Sequence, residues 1–134
     1  MSSRGERKTI ARLKALERGL QGMRGKPILV EGKRDTESLE RHIKERIIPV
    51  NGNPKKLAKL LKGEEEAVVL TDFDSAGEEL LVMLSEELRS IGVKPDIECR
   101  RLFRYALGLA RFEEFSRRYE ELIEEGERYG KNIH

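Results

Sequence analysis

The stretch Ala67-Val68-Val69-Leu70-Thr71-Asp72-Phe73-Asp74-Ser75-Ala76-Gly77-Glu78 compresses a strand, a turn and a helix start into one short run. Ala67 to Thr71 are too few for a helix and too apolar for a surface strand, so they predict a strand buried on both faces. Asp72 and Asp74 follow at strand spacing and point the same way. Ser75-Ala76-Gly77 then predicts the opening of a helix. Leu80, Leu81, Leu84, Leu88 and Ile91 carry it on at helical spacing, and Gly92 closes it. Two carboxylates so close repel unless a cation lies between them. Magnesium, which takes a few carboxylates together with water and phosphate oxygens, suits the place.

A second motif of the same build lies upstream. Pro27 leads into the buried strand Ile28-Leu29-Val30, and Glu31-Gly32 closes it. The chain has 21 Glu and only 4 Asp, and three of those four, Asp35, Asp72 and Asp74, fall in or beside the two motifs. Where surface acids are otherwise Glu, Asp at these points implies a short side chain of fixed reach.

Working outward, Leu39 and Ile43 predict a helix over about 36–46, and Ile47-Ile48-Pro49-Val50 a short or edge strand because of its proline. Asn51-Gly52 reads as a turn. Asn53-Pro54 reads as a cap and first residue of a helix whose Leu57, Leu60 and Leu61 face the core and which ends at Gly63. Ile97 to about Leu102 predicts a fourth strand. An N-terminal helix over about 6–23 carries Ile10, Leu13, Leu16, Leu20 and Met23. A C-terminal helix over about 111–128 carries Phe112, Phe115, Tyr119, Leu122 and Ile123, with Glu113/Arg117, Glu114/Arg118 and Glu124/Arg128 as i,i+4 pairs. Strands alternating with helices predict an α/β fold: about four mainly parallel strands, Rossmann-like, with helices on both faces and extra terminal helices.

At 134 residues the chain is expected to be a single domain. It has no apolar run long enough to span a membrane and no leader-like apolar segment near Met1, and its single Cys99 cannot form an internal disulfide; these predict a cytoplasmic protein. Charged residues make up 39%, with one Gln, a thermophile-like composition. The net charge of +2 is unevenly spread: residues 1–62 hold 17 Lys/Arg against 7 acids, residues 63–134 hold 10 against 18. That asymmetry marks either a polyanion-binding face or helices whose solvated charges intermingle once folded.

In an open parallel sheet, ligands bind outside the carboxyl ends of the strands, where strand order reverses. Glu31 and Asp72 sit at two such ends, and if their strands are neighbours, three carboxylates meet on one rim. Gly32 and Gly77 then mark places where the backbone turns sharply or meets a ligand. Ser75, Ala76 and Gly77 offer helix N-terminal N–H groups to a phosphate. Asp35 suits a helix N-cap, and Glu78 the first turn of a helix, as well as either suits the acid cluster. Lys33 and Arg34 are phosphate contacts or plain loop charges. Arg100, Arg101 and Arg104 line a nucleic-acid path or snorkel over the last helix. His42 has no second histidine near it, so zinc is not expected.

Leu29-Val30-Glu31-Gly32-Lys33-Arg34-Asp35, followed about forty residues later by Asp72-Phe73-Asp74-Ser75-Ala76-Gly77, resembles the TOPRIM domain. That module is shared by topoisomerases, bacterial-type primases, the nucleases of overcoming-lysogenization-defect proteins and the ribonuclease that matures 5S ribosomal RNA. The resemblance covers roughly residues 26–103 and is similar to the maturase and primase-type branch and to short stand-alone TOPRIM proteins. Phe73 stands where the maturase branch commonly has proline. The resemblance implies magnesium or manganese held by Glu31, Asp72 and Asp74, with Glu31 a metal ligand or general acid or base, and Asp35 and Glu78 as additional acids. The expected function is magnesium-dependent phosphodiester chemistry on RNA or DNA, of the nuclease type. The alternative is a non-catalytic, metal-dependent nucleic-acid or nucleotide binding module, an accessory subunit of a protein partner or a homodimer. Tyr105, Tyr119 and Tyr129 lie in no motif-like setting, so topoisomerase chemistry is not expected.

Overall fold

The computed structural model describes residues 2–51 and 53–133. The expected turn at Asn51-Gly52 falls partly outside them, at Gly52. In chain order the elements are α1 (Arg4–Gly22), β1 (Ile28–Val30), α2 (Lys33–Glu40), β2 (Ile47–Pro49), a 3-10 turn (Pro54–Lys56) running into α3 (Leu57–Leu60), β3 (Glu66–Leu70), α4 (Ser75–Ser90), β4 (Lys94–Asp96), α5 (Glu98–Leu107), a second 3-10 turn (Phe112–Glu114) and α6 (Phe115–Arg128). The four strands form one sheet in the order β2-β1-β3-β4, every pair parallel. This is the expected α/β architecture.

The central strands are buried on both sides, yet their side chains still alternate. Ile28, Val30, Val68 and Leu70 enter the cluster that holds Leu13, Leu16, Phe103, Phe112 and Phe115. Leu29, Ala67 and Val69 enter the opposite one, with Leu57, Leu84 and Leu88. Helices α1, α2, α5 and α6 therefore cover one face, α3 and α4 the other. Pro49 and Pro95 lie in β2 and β4, the two edge strands, where a missing N–H leaves no interior ladder bond unmade.

Several expectations are corrected. The fourth strand is Lys94–Asp96, and Ile97 to Leu102 belongs instead to α5 and its start. Helical spacing of Cys99, Phe103, Ala106 and Leu107, all buried, outweighs the short apolar alternation. Asp96 seals the turn between them by accepting from the N–H groups of Glu98 (3.0 Å) and Cys99 (3.4 Å). Helix α2 begins at Lys33 and ends at Glu40, earlier at both ends than 36–46, so that the chain can reach β2. Asn53 makes no side-chain cap. On α6, Glu124/Arg128 stand 3.8 Å apart as expected, whereas Arg117 pairs with Glu114 and Glu121, and Arg118 with Glu121. Gly92 does end α4, at φ +79°.

Candidate functional site

Strand β1 is followed by β2 on one side and β3 on the other, so strand order reverses between β1 and β3. Their registered ends, Val30 opposite Leu70, lead directly to Glu31 and Thr71-Asp72. The Glu31 carboxylate crosses this gap and accepts from the backbone N–H of Asp72, Oε2 to N 2.7 Å. Asp72 in turn accepts from the N–H of Phe112 (2.8 Å), and Asp74 caps α4 by accepting from the N–H of Gly77 (2.8 Å). Each of the three carboxylates is thus aimed by one backbone N–H through one oxygen. Among the described residues, the second oxygen of each accepts no hydrogen bond.

Burial pushes the Asp72 carboxyl up to about 6, and the nearby charges of Glu31 and Asp74 push the same way against the Phe112 N–H. Asp35 is also raised, by burial first and then by the charges of Asp72 and Glu113, which places it at the edge of the same acid group. It is not the N-cap of α2: it lies in the first turn and reaches back to the N–H of Gly32 at 3.0 Å.

The loop carrying the two aspartates is held from below. Arg100 is buried. Its guanidinium donates to the carbonyl oxygens of Thr71 (2.8 Å) and Asp72 (2.7 Å) and to Glu78 (2.8 Å), and it lies 4.2 Å from the centre of the Phe73 ring. The expectation that Arg100 meets nucleic acid is therefore corrected: every donor direction it uses is spent on the loop. Glu78 is its partner, so it serves the scaffold. Arg104 covers the same ring at 4.9 Å, and Arg101 pairs with Glu98. Gly77 packs so tightly under the loop that a Cβ would overlap the carbonyl group of Asp72, whereas a Cβ on Gly32 would meet nothing closer than 3.9 Å. Thr71 completes the joint by donating to the Gly77 carbonyl at 2.8 Å.

Lys33 and Arg34 are exposed at the start of α2, 3.8 Å from Glu37 and from Glu113 respectively. Ser75 is exposed in the first turn of α4. Sequence reading missed the Gly108–Glu114 segment, whose Ala110 carbonyl accepts from the N–H of Phe73 (3.0 Å) and whose Arg111 lies 3.7 Å from Asp74. No spacing rule links residues forty apart through backbone atoms, so no signal in the sequence pointed to it. A groove of about 590 Å³ lies between α2 and the segment leading into α6, lined by Arg34, Arg41 and Arg117 together with Glu37, Glu113, Glu114 and Glu120.

The donor set fits a hard divalent cation in kind: carboxylates only, each pre-aimed, at a helix N-terminus that favours phosphate. Among the described residues, no group of three or more His, Cys, Asp or Glu side chains is gathered closely enough to hold an ion by itself, and no helix is long and apolar enough to cross a membrane.

No protein-family model matches the chain. A UPF0292 protein of Methanosarcina acetivorans is 31% identical over 112 residues, covering 73% of this chain and 72% of that protein. UPF0292 proteins of Methanosarcina barkeri and Methanocaldococcus jannaschii are 37% and 39% identical over 93 and 79 residues. The chain spans 59% and 62% of the lengths of those two. Among solved structures, a protein from Aquifex aeolicus superposes with a TM-score of 0.67 at 27% identity, over 76% of this chain and 95% of that one.

Proposed function

The chain belongs to the UPF0292 family, and we propose that it is a TOPRIM-type protein performing magnesium-dependent phosphodiester chemistry, nuclease-type cleavage of RNA or DNA. One observation carries this reading: the meeting of Glu31 and Asp72 across the switch point of a parallel sheet, 2.7 Å from Glu31 Oε2 to Asp72 N. Glu31, Asp72 and Asp74 are the residues that would hold magnesium or manganese, which when bound clamps a phosphate and lowers the pKa of a water. The remaining work falls to the chain itself. Backbone N–H groups keep the three carboxylates oriented, so little reorganisation is needed at the moment of reaction. Glu31 is placed to take or return a proton on the rim. Arg111, 3.7 Å from Asp74, and Lys33 and Arg34 at the start of α2 would offset phosphate charge. The buried thiol of Cys99 suits a reducing cytoplasm.

A second reading has its own support. Asp74 is exposed, and no tight trio of ligands is present among the described residues. A rim that open suits a binding module whose site is completed by a protein partner or a second copy of the chain. Cleavage assays separate the two. The purified chain with Mn²⁺, offered single-stranded and structured RNA and DNA, is expected to cut at least one class, and Glu31→Gln to stop cutting while keeping salt-dependent binding. Binding without any cutting that Glu31→Gln removes selects the module. Neither binding nor cutting sinks both readings.

A further inference from the structure

Helix α1 carries six Lys/Arg against two Glu. One of the six, Arg12, is spent on packing: it donates to the Ala106 carbonyl (2.9 Å) and pairs with Glu125 (3.2 Å). Lys14 and Arg18 are different. Both are exposed, both face α5, and among the described residues neither forms an ion pair with a carboxylate. Arg7 precedes them on the same side of the helix, so the three cations span roughly 16 Å.

Between α1 and α5 runs a groove of about 460 Å³. It exists because the helices approach closely elsewhere: a Cβ on Gly19 would stand 2.6 Å from the Phe103 ring, and one on Gly22 2.9 Å from the Cys99 sulfur. The groove floor is apolar, made of Ala11, Ala15 and Leu102. Its far wall is Arg101 and, one turn on, Tyr105, a residue 57% exposed. Glu98 is the single acid present, and Arg101 takes both of its oxygens (2.8 and 2.7 Å), so the charge left over is positive.

We propose that this groove binds a segment of single-stranded nucleic acid, with a base stacked on Tyr105 and backbone phosphates on Lys14 and Arg18. A flat exposed ring and an apolar floor beside two cations that are unpaired among the described residues match the alternation of apolar base and anionic phosphate along a strand. An acidic peptide has the charge but not a ring and an anion at every repeat. A duplex has both, but keeps its bases stacked inside. Arg104, the residue before Tyr105 on α5, lies over the ring of Phe73, which stands between the two rim aspartates. The inference rests on reading the chain as a nucleic-acid protein, and it does not depend on a metal.

The test is fluorescence anisotropy with a labelled oligouridine strand in EDTA, which takes the metal site out of play, beside Mn²⁺ cleavage assays of the same variants. Lys14→Glu/Arg18→Glu is expected to weaken binding on the order of a hundredfold at low salt and to lower the salt slope by about 1.4, two phosphates' worth for a single strand. Tyr105→Ala is expected to cost about tenfold with the slope unchanged, and Tyr105→Phe to restore it. Lys59→Glu/Lys62→Glu, the same charge change on the opposite face of the sheet, is the control and should have little effect. Melting curves confirm that these surface variants fold. If the wild type binds and the groove variants bind equally well, the groove is overturned while the nucleic-acid reading stands. The same follows if cleavage persists in Mn²⁺ but no strand binds in EDTA. Binding of polyglutamate as tight as oligouridine, with Tyr105→Ala neutral, also overturns it. Absence of both binding and cleavage removes the inference together with the function it rests on.

Discussion

At position 77 there is room for a hydrogen atom and nothing larger, because a Cβ would run into the carbonyl group of Asp72. Backbone on backbone cannot give way as a side chain can. Gly77→Ala is therefore expected to cost roughly 3 kcal/mol, the upper end for overpacking, and to loosen the aspartate loop as well. Urea denaturation measures the first effect; an unchanged midpoint would mean the loop is not packed as described. The two aspartates make an opposite case. Asp72 sits among like charges and partly out of water. Asp72→Asn keeps an oxygen to accept from Phe112 while shedding the charge, and Asp74→Asn retains a good helix cap. Without metal, each variant should be as stable as the wild type or more so. With Mg²⁺ or Mn²⁺ the wild type should gain in Tm, since an ion that binds only the folded site stabilises it by mass action, and both variants should lose most of that gain. Equal metal responses in all three proteins, read by calorimetry, would remove the metal site from the rim.

Among the elements, the seam between α2 and α6 holds a titratable group. His42 Nε2 lies 3.0 Å from Ser116 Oγ, and its ring stacks on Tyr119 with centroids 4.0 Å apart. Burial lowers its pKa and the charge of Arg41 adds to that, while Glu120 and Ser116 oppose them. The sign follows. A folded histidine that binds its proton less readily than the unfolded chain contributes stability at pH above its ordinary value of 6.5, and that contribution is lost as the pH falls below it. Stability measured at pH 5.5 against pH 8 should thus fall more steeply in the wild type than in His42→Gln; parallel profiles would show that the seam does not sense protonation. The seam was half legible. Phe112, Phe115, Tyr119 and Leu122 announced an apolar stripe through their spacing, and the stripe is where α6 packs. Its polar partners, Ser38 and Ser116, sit 78 residues apart, and only their hydrogen bond marks them.

For the molecule as a whole, the terminal helices matter more than the motif-bearing core suggests. Leu13 and Leu16 of α1 and Phe112, Phe115 and Leu122 of the C-terminal segment share one buried cluster with Ile28, Val30, Val68 and Leu70 of the central strands. Cutting the chain to residues 26–103, the extent of the recognisable motifs, strips that face and truncates α5. The fragment is expected to show no cooperative thermal transition by circular dichroism, because too little apolar area would remain buried to offset chain entropy. A sharp two-state melt for 26–103 would show that the terminal helices are ornaments.

What the amino-acid sequence determined by itself was local and periodic. Short apolar runs ending in acids became β1 and β3, leucines at helical spacing became α4, and Gly92 ended it, since these outcomes depend on neighbours within a few residues. Strand order, and with it the meeting of Glu31 and Asp72, was decided only by the tertiary structure, because it depends on how two faces of one sheet are shared among six helices. The same holds for Arg100. As a string of letters, Arg100 and Arg101 are alike. Folding turns one toward the loop carbonyls and the other toward water, and that difference in surroundings makes the first a brace and leaves the second on the wall of a groove.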